Sequence, residues 1–277
     1  MARILVGTLS HYGARISQGM MSAQQDTIRR YLELGKGKSD DSSSKENQCL
    51  VAYNARELLE MTEGFQPDVI VLSYRSEEAA SMEALHMLRQ SERGRETPIV
   101  MTTTSVLPSS IVTRFTSICD AFLDAAALER GDLRSAVERV RYPRSPVALV
   151  VEDDEDMRRI IVRTLQQTGF NATPFQFGQH ALGALLSGTK YDLVVSGLML
   201  RDIYWKGPAV VGVIRAINPF LPVIIISGDL NHKEVTGEMS LEQLFGAHLM
   251  EKPFETIALQ TTAVQMLPKR LRPQKPQ

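Results

Sequence analysis

Two α/β domains, each a parallel five-stranded sheet with helices on both faces, are predicted by three observations. Short, nearly continuous apolar runs alternate with helical patterns, as strands buried on both faces require. The same succession occurs twice, in halves of about 140 residues, a domain repeat rather than a short solenoid period. Finally, 277 residues with 43% hydrophobic and 23% charged content supply a core for each of two ordinary domains.

The first half opens on Arg3-Ile-Leu-Val-Gly7-Thr8, a first strand, followed by a helical stretch over 14–34. Residues 35–48, rich in Lys, Ser, Asp and Gly, are too hydrophilic to pack and read as a polar insertion. Cys49-Leu-Val-Ala-Tyr53 is the second strand, and 55–63 the next helix. Asp68-Val-Ile-Val-Leu-Ser73, Pro98-Ile-Val-Met-Thr-Thr103 and Ala121-Phe-Leu-Asp-Ala125 supply strands three to five, and 132–140 a closing helix. The first domain is therefore set at 1–141. Tyr142-Pro-Arg-Ser-Pro146 carries two prolines with fixed φ and reads as a short, stiff linker over 142–146.

The second domain, 147–268, gives the succession more clearly. Strands are read at 147–151, 171–176, 193–196, 222–227 and 248–251, and helices at 155–168, 178–187, 208–217, 235–246 and 256–267. The first of these helices carries Met157, Ile160, Ile161 and Leu165 at the spacing of one apolar face. Asp68 to Ser73 parallels Asp192 to Gly197 position for position, and 98–103 parallels 222–227, so an internal duplication is inferred. Residues 269–277 form a basic tail, read as a solvated end. Five βα units per half select the flavodoxin-like (βα)5 order 2-1-3-4-5, whose functional crevice lies at the carboxyl ends of the strands. Glu152, Asp153, Gly197, Ser227 and Lys252 all fall at such ends.

Those residues carry a resemblance. The run Ala148-Leu-Val-Val ends in Glu152-Asp153-Asp154, Pro222-Val-Ile-Ile-Ile ends in Ser227, and Met250-Glu leads to Lys252-Pro253. An acid pair, a hydroxyl and a Lys-Pro in that order resemble the chemotaxis-type receiver domain of bacterial response regulators. The resemblance covers 147–267 clearly and 3–141 faintly. In that family the strand between the acid pair and the hydroxyl ends in a phosphate-accepting Asp; here it ends in Gly197. A hydrogen atom cannot attack a phosphoryl group.

The resemblance implies a role for each retained residue. Mg²⁺, a hard cation that wants oxygen ligands, would be held directly by Asp153, partly through water by Glu152, and by the backbone carbonyl of Met199. Lys252 and Ser227 would be the remnants of the phosphate contacts, of the charge-assisted kind that lets a phosphate reorder a loop. With one carboxylate missing, Mg²⁺ is expected to bind weakly, and Lys252 is expected to serve as counter-ion to Asp153. In the first domain Gly7 and Thr8, Ser73, Thr103 and Ala125 stand at the corresponding places. The family's strand-five aromatic is replaced by Leu249 in the second domain and kept as Phe122 in the first.

Other signals are weaker. The histidines His11, His86, His180, His232 and His248 show no ligand spacing, and Cys49 and Cys119 read as free thiols. A net charge of −1 gives no reason for wholesale nucleic-acid binding, and no apolar run reaches the roughly 20 residues of a membrane span. Trp205, in Arg201-Asp-Ile-Tyr-Trp-Lys-Gly207, sits on a loop about two residues longer than the family's, as an anchor or folded on its own loop. The reading is a cytoplasmic bacterial tandem pseudo-receiver, not an enzyme, that works by contact with a histidine kinase, another signalling protein or a second copy of itself. Two other readings stand beside it. One is a phosphorylatable regulator, with Asp202 or Asp229 as displaced acceptor or with Gly197 substituting a natural Asp. The other is a small-molecule sensor using the vacated crevice.

Overall fold

The computed structural model describes residues 2–8, 48–74, 78–142, 144–200, 207–228 and 246–273. The helical stretch read at 14–34, nearly all of the polar insertion, the helix read at 235–246 and the Trp205 loop lie outside them. The chain divides into two compact units whose boundary in sequence falls at Tyr142. Each holds one five-stranded, all-parallel sheet, which is the α/β architecture the sequence predicts.

In the first unit the strands are β1 (Arg3–Thr8), β2 (Gln48–Ala52), β3 (Val69–Tyr74), β4 (Ile99–Thr103) and β5 (Ala121–Leu123), in the order β2-β1-β3-β4-β5. Between and after them come α1 (Ala55–Phe65), α2 (Glu78–Gln90), α3 (Glu92–Glu96), α4 (Ser109–Ile118), α5 (Ala125–Glu129) and α6 (Asp132–Arg141). Helix starts follow cap chemistry: the Asn54 side chain accepts the Glu57 amide, and Asp124 accepts that of Ala127. Gln48, placed by the sequence in the insertion, already pairs with Arg3 in the sheet.

The second unit repeats this with β6 (Val147–Val151), α7 (Glu155–Gln167), β7 (Asn171–Phe175), α8 (Gly178–Leu186), β8 (Leu193–Gly197), α9 (Gly207–Ile217), β9 (Val223–Ser227), β10 (His248–Glu251) and α10 (Thr256–Met266). Its order is β7-β6-β8-β9-β10. The continuous apolar strands are explained by two cores, one per sheet face. Ala148, Val150, Leu193, Val195, Ile224 and Ile226 pack with Ile161 and Leu165 of α7 and Leu259 and Ala263 of α10. Leu149, Val151, Val194, Val223 and Ile225 pack with α8 and α9 through Leu185, Val210, Val211 and Ile214. Ile160 is a correction: it is exposed, and the buried face of α7 is completed by Thr164.

The registers of the two sheets correspond. Val151 lies opposite Ser196, so Glu152 follows beside Gly197; Gly197 faces Ile226, and Ser227 faces Glu251, one residue before Lys252. In the first sheet Thr8 faces Ser73, Ser73 faces Thr102, and Thr102 faces Leu123. Two fastenings also recur that the sequence reading did not find. The Asp68 carboxylate accepts the Arg3 amide at 2.7 Å, and Asp192 accepts the equivalent Val147 amide at 2.8 Å. Arg89 donates to the Thr97 carbonyl at 3.0 Å, and Arg215 to the equivalent Leu221 carbonyl at 2.6 Å.

Both ends of the second unit are more firmly held than the sequence suggests. Arg144, in the predicted linker, forms a bidentate pair with the buried Asp192 carboxylate, both contacts at 2.7 Å, and Pro146 accepts the Asn171 amide. At the other end a 3₁₀ turn, Lys269–Leu271, buries Leu271 in the core beside Leu267, so the basic tail is packed through its first residues.

Candidate functional site

The carboxyl ends of β6, β8, β9 and β10 converge on one cleft of about 290 Å³, lined by Glu152, Gly197, Leu198, Met199, Ile226, Ser227, Gly228 and Lys252. Five of the six residues singled out by the sequence thus share a single crevice. Asp153 does not line it and is half-exposed. Of the displaced acceptors considered, Asp202 and Asp229 lie outside the described residues.

Lys252 pairs with Glu152, correcting the expectation that it serves Asp153. Its Nζ donates to Glu152 Oε2 at 2.8 Å, and the lysine amide donates to the Ser227 carbonyl at 2.7 Å. Strand phase explains the choice. Glu152 keeps the alternation of Ala148 and Val150 and stays buried, whereas Asp153 falls in the opposite phase. Burial pushes the Glu152 carboxyl above its ordinary value; the hydrogen bond and charge of Lys252 pull it back, and a hydrogen bond with Asp153 pushes it up again. The third acid, Asp154, caps α7 by accepting the Met157 amide at 2.8 Å.

Arg158 of α7 was not anticipated. Its guanidinium donates to the backbone carbonyls of Glu152 at 2.6 Å and Asp153 at 3.3 Å, tying the helix back onto the acid loop. A surface-helix arginine reads in sequence as solvated charge, and only the fold shows where it turns.

The backbone at Gly197 is closed in. A Cβ on Gly197 would stand 3.1 Å from both Glu152 Oε2 and Leu200 Cδ2, and Leu200 is buried. Gly197→Asp therefore places a second carboxylate against Glu152 and crowds Leu200. It is expected to destabilise the second unit by roughly 1–3 kcal/mol, with partial recovery when Leu200→Ala is added. Urea denaturation of the single and double variants checks this; an unchanged midpoint for Gly197→Asp would show that the site was not crowded.

The corresponding corner of the first unit has a different character. Ser73, Tyr74 and Thr103 are buried, Thr103 Oγ1 accepts the Ser105 amide at 3.0 Å, and Asp124 is used as the cap of α5. Phe115 packs edge-on against Tyr74 at 5.3 Å between ring centres and stacks on Phe122 at 6.3 Å.

Residues 148–264 match the family model of the response regulator receiver domain. Among curated proteins, the DNA-binding transcriptional regulator NtrC of Klebsiella pneumoniae is 30% identical over 121 residues, covering 43% of this chain and 24% of that protein. A putative NtrX-like response regulator of Rickettsia bellii is 31% identical over 106 residues, covering 38% and 21%. The chain thus spans about a quarter of the length of these relatives. Among solved structures, a response regulator receiver protein from Sinorhizobium medicae is 27% identical and covers 46% of this chain and 97% of its own, with a TM-score of 0.40. NtrX from Brucella abortus is 25% identical and covers 46% and 28%, with a TM-score of 0.39. Scores this low carry no argument, and the likeness of the second unit to the response regulator receiver domain rests on the family match over 148–264.

Proposed function

We propose that the chain is a two-component signalling protein whose second unit is a receiver that takes no phosphoryl group and acts by docking. The observation that carries this is Gly197 at the acceptor position, with the phosphate-contacting lysine already engaged by Glu152 at 2.8 Å. A phosphoryl transfer to this crevice finds no nucleophile at position 197, and its lysine would have to leave a buried carboxylate to meet the transferred group. Leu249 at the aromatic relay position argues in the same direction. The partner best matched to this fold is a histidine kinase or another receiver-binding signalling protein inside a bacterial cell.

The first unit is read as a second degenerate receiver, making the protein a tandem pseudo-receiver. The matching registers, the paired aspartate fastenings and the paired arginine fastenings support that reading. The DNA-binding named for the NtrC relatives belongs to proteins that this chain covers only in part. Among the described residues no helix is long and apolar enough to cross a membrane.

Beryllofluoride, which mimics a phosphoryl group on an acceptor carboxylate, tests the proposal. Added with Mg²⁺ to the full chain, it should leave the amide spectrum of 197–200, 227–228 and 252 unshifted. Saturable shifts there would establish a working acceptor, and mapping them would show whether Asp202 supplies it.

A further inference from the structure

Receiver domains bind Mg²⁺ at the place where the acid loop of this chain lies. The donor set here does not suit such an ion. Among the described residues no group of three or more His, Cys, Asp or Glu side chains could hold a metal. Gly197 supplies no oxygen from its side chain. Of the two Glu152 oxygens, Oε2 accepts the Lys252 ammonium at 2.8 Å and Oε1 faces the Asp154 amide at 3.4 Å. The Asp154 carboxylate is committed to the helix cap. A hard dication needs several oxygens free to turn toward it, and of the three acids of this loop Glu152 and Asp154 are already turned to the chain's own donors, which leaves Asp153 alone.

Two cations of the chain hold this acid loop. The Lys252 ammonium neutralises the buried Glu152, and the Arg158 guanidinium bridges the carbonyls of Glu152 and Asp153. One comes from the end of β10 and the other from α7, so together they tie the acid loop to both sides of the crevice. We propose that Lys252, as resident counter-ion of Glu152, and Arg158, as a tie across the loop carbonyls, together replace a divalent cation, so that the β6–α7 loop is ordered without metal. The inference rests on the reading of the second unit as non-phosphorylatable and adds how its site is held. Its consequence is a docking surface whose shape does not follow the Mg²⁺ level of the cell, whereas a metal-dependent receiver couples the two.

The test is a set of thermal melts of the full chain in EDTA and in about 10 mM Mg²⁺, since a ligand that binds only the folded state raises its melting temperature. The natural sequence should melt within about 1 °C of the same temperature in both. Lys252→Met, which frees the Glu152 carboxylate, should gain about 3–5 °C from Mg²⁺, and Arg158→Gln a smaller rise. A natural chain that gains as much as Lys252→Met, or two variants that gain nothing, would overturn the inference. Should Lys252→Met not fold in either buffer, Mn²⁺ titration of the natural chain and of Arg158→Gln, followed by electron paramagnetic resonance, decides. Tighter Mn²⁺ binding by the variant supports the inference, and equal binding overturns it. A natural chain that binds Mg²⁺ yet takes no phosphoryl group defeats this inference alone, whereas a phosphoryl adduct defeats the functional reading beneath it.

Discussion

Asp120→Ala is expected to destabilise the first unit by about 3–5 kcal/mol, the range for stripping one partner from a buried ion pair. The pair is Arg89 with Asp120 at 3.1 Å, with side-chain exposures of only 8% and 5%. The carboxylate does two things at once: it meets the guanidinium at the end of α2 and accepts the Ile99 amide at the start of β4, at 2.9 Å. Removing it leaves a buried positive charge short of its counter-charge and a buried amide short of its acceptor. Arg89 keeps its bonds to the Gly94 and Thr97 carbonyls, which sets the expectation at the lower end of the range. Asp120→Asn retains an acceptor for Ile99 and should lose about half as much. Urea-dependent amide hydrogen exchange, read peptide by peptide by mass spectrometry, separates the first unit from the second. A loss below about 1 kcal/mol for Asp120→Ala would mean that the pair contributes no more than a surface ion pair.

Gly207→Ala should be the most damaging small substitution in the second unit. A Cβ there would lie 2.3 Å from the Gly197 carbonyl oxygen and 2.7 Å from that of Leu198, both backbone atoms that cannot swing aside. The glycine lets the first turn of α9 rest on the end of β8, where its amide donates to the Leu198 carbonyl at 3.1 Å. Adding one methyl group forces the helix start away from the crevice, at a cost of roughly 2–4 kcal/mol. The loss should appear as a lower urea midpoint in the peptides of the second unit, with those of the first unmoved. Gly212→Ala, in the same helix with nothing within 4 Å of the added carbon, is the control and should be neutral or slightly stabilising.

The architecture was legible because the central strands are buried on both faces, which makes their sequences continuous apolar runs and fixes their places without knowledge of their neighbours. The crevice was legible for a related reason: residues that follow such runs must gather at one edge of a parallel sheet. Pairing within the crevice was not. Glu152 and Asp153 are adjacent in sequence, and only the fold shows that Glu152 turns to Lys252 while Asp153, past the end of β6, stays half-exposed. Ile160 fits a helical period yet faces out, because the period marks a stripe and not its edges. The aspartate fastenings read only as the first residues of matching strand runs, although their corresponding positions at 68 and 192 were visible in the sequence. Arg89, Arg158 and Arg215 gave no sign of where their long side chains would end, since a helix position does not say which carbonyls a guanidinium can reach.

Intact-mass measurement after incubation of the full chain with acetyl phosphate and Mg²⁺ tests the central claim most directly. With Gly197 at the acceptor position, the expected spectrum is a single species at the mass of the unmodified chain. A stoichiometric, base-labile, one-phosphoryl increment mapping within residues 147–267 would contradict the account and make the second unit a working receiver with its acceptor elsewhere.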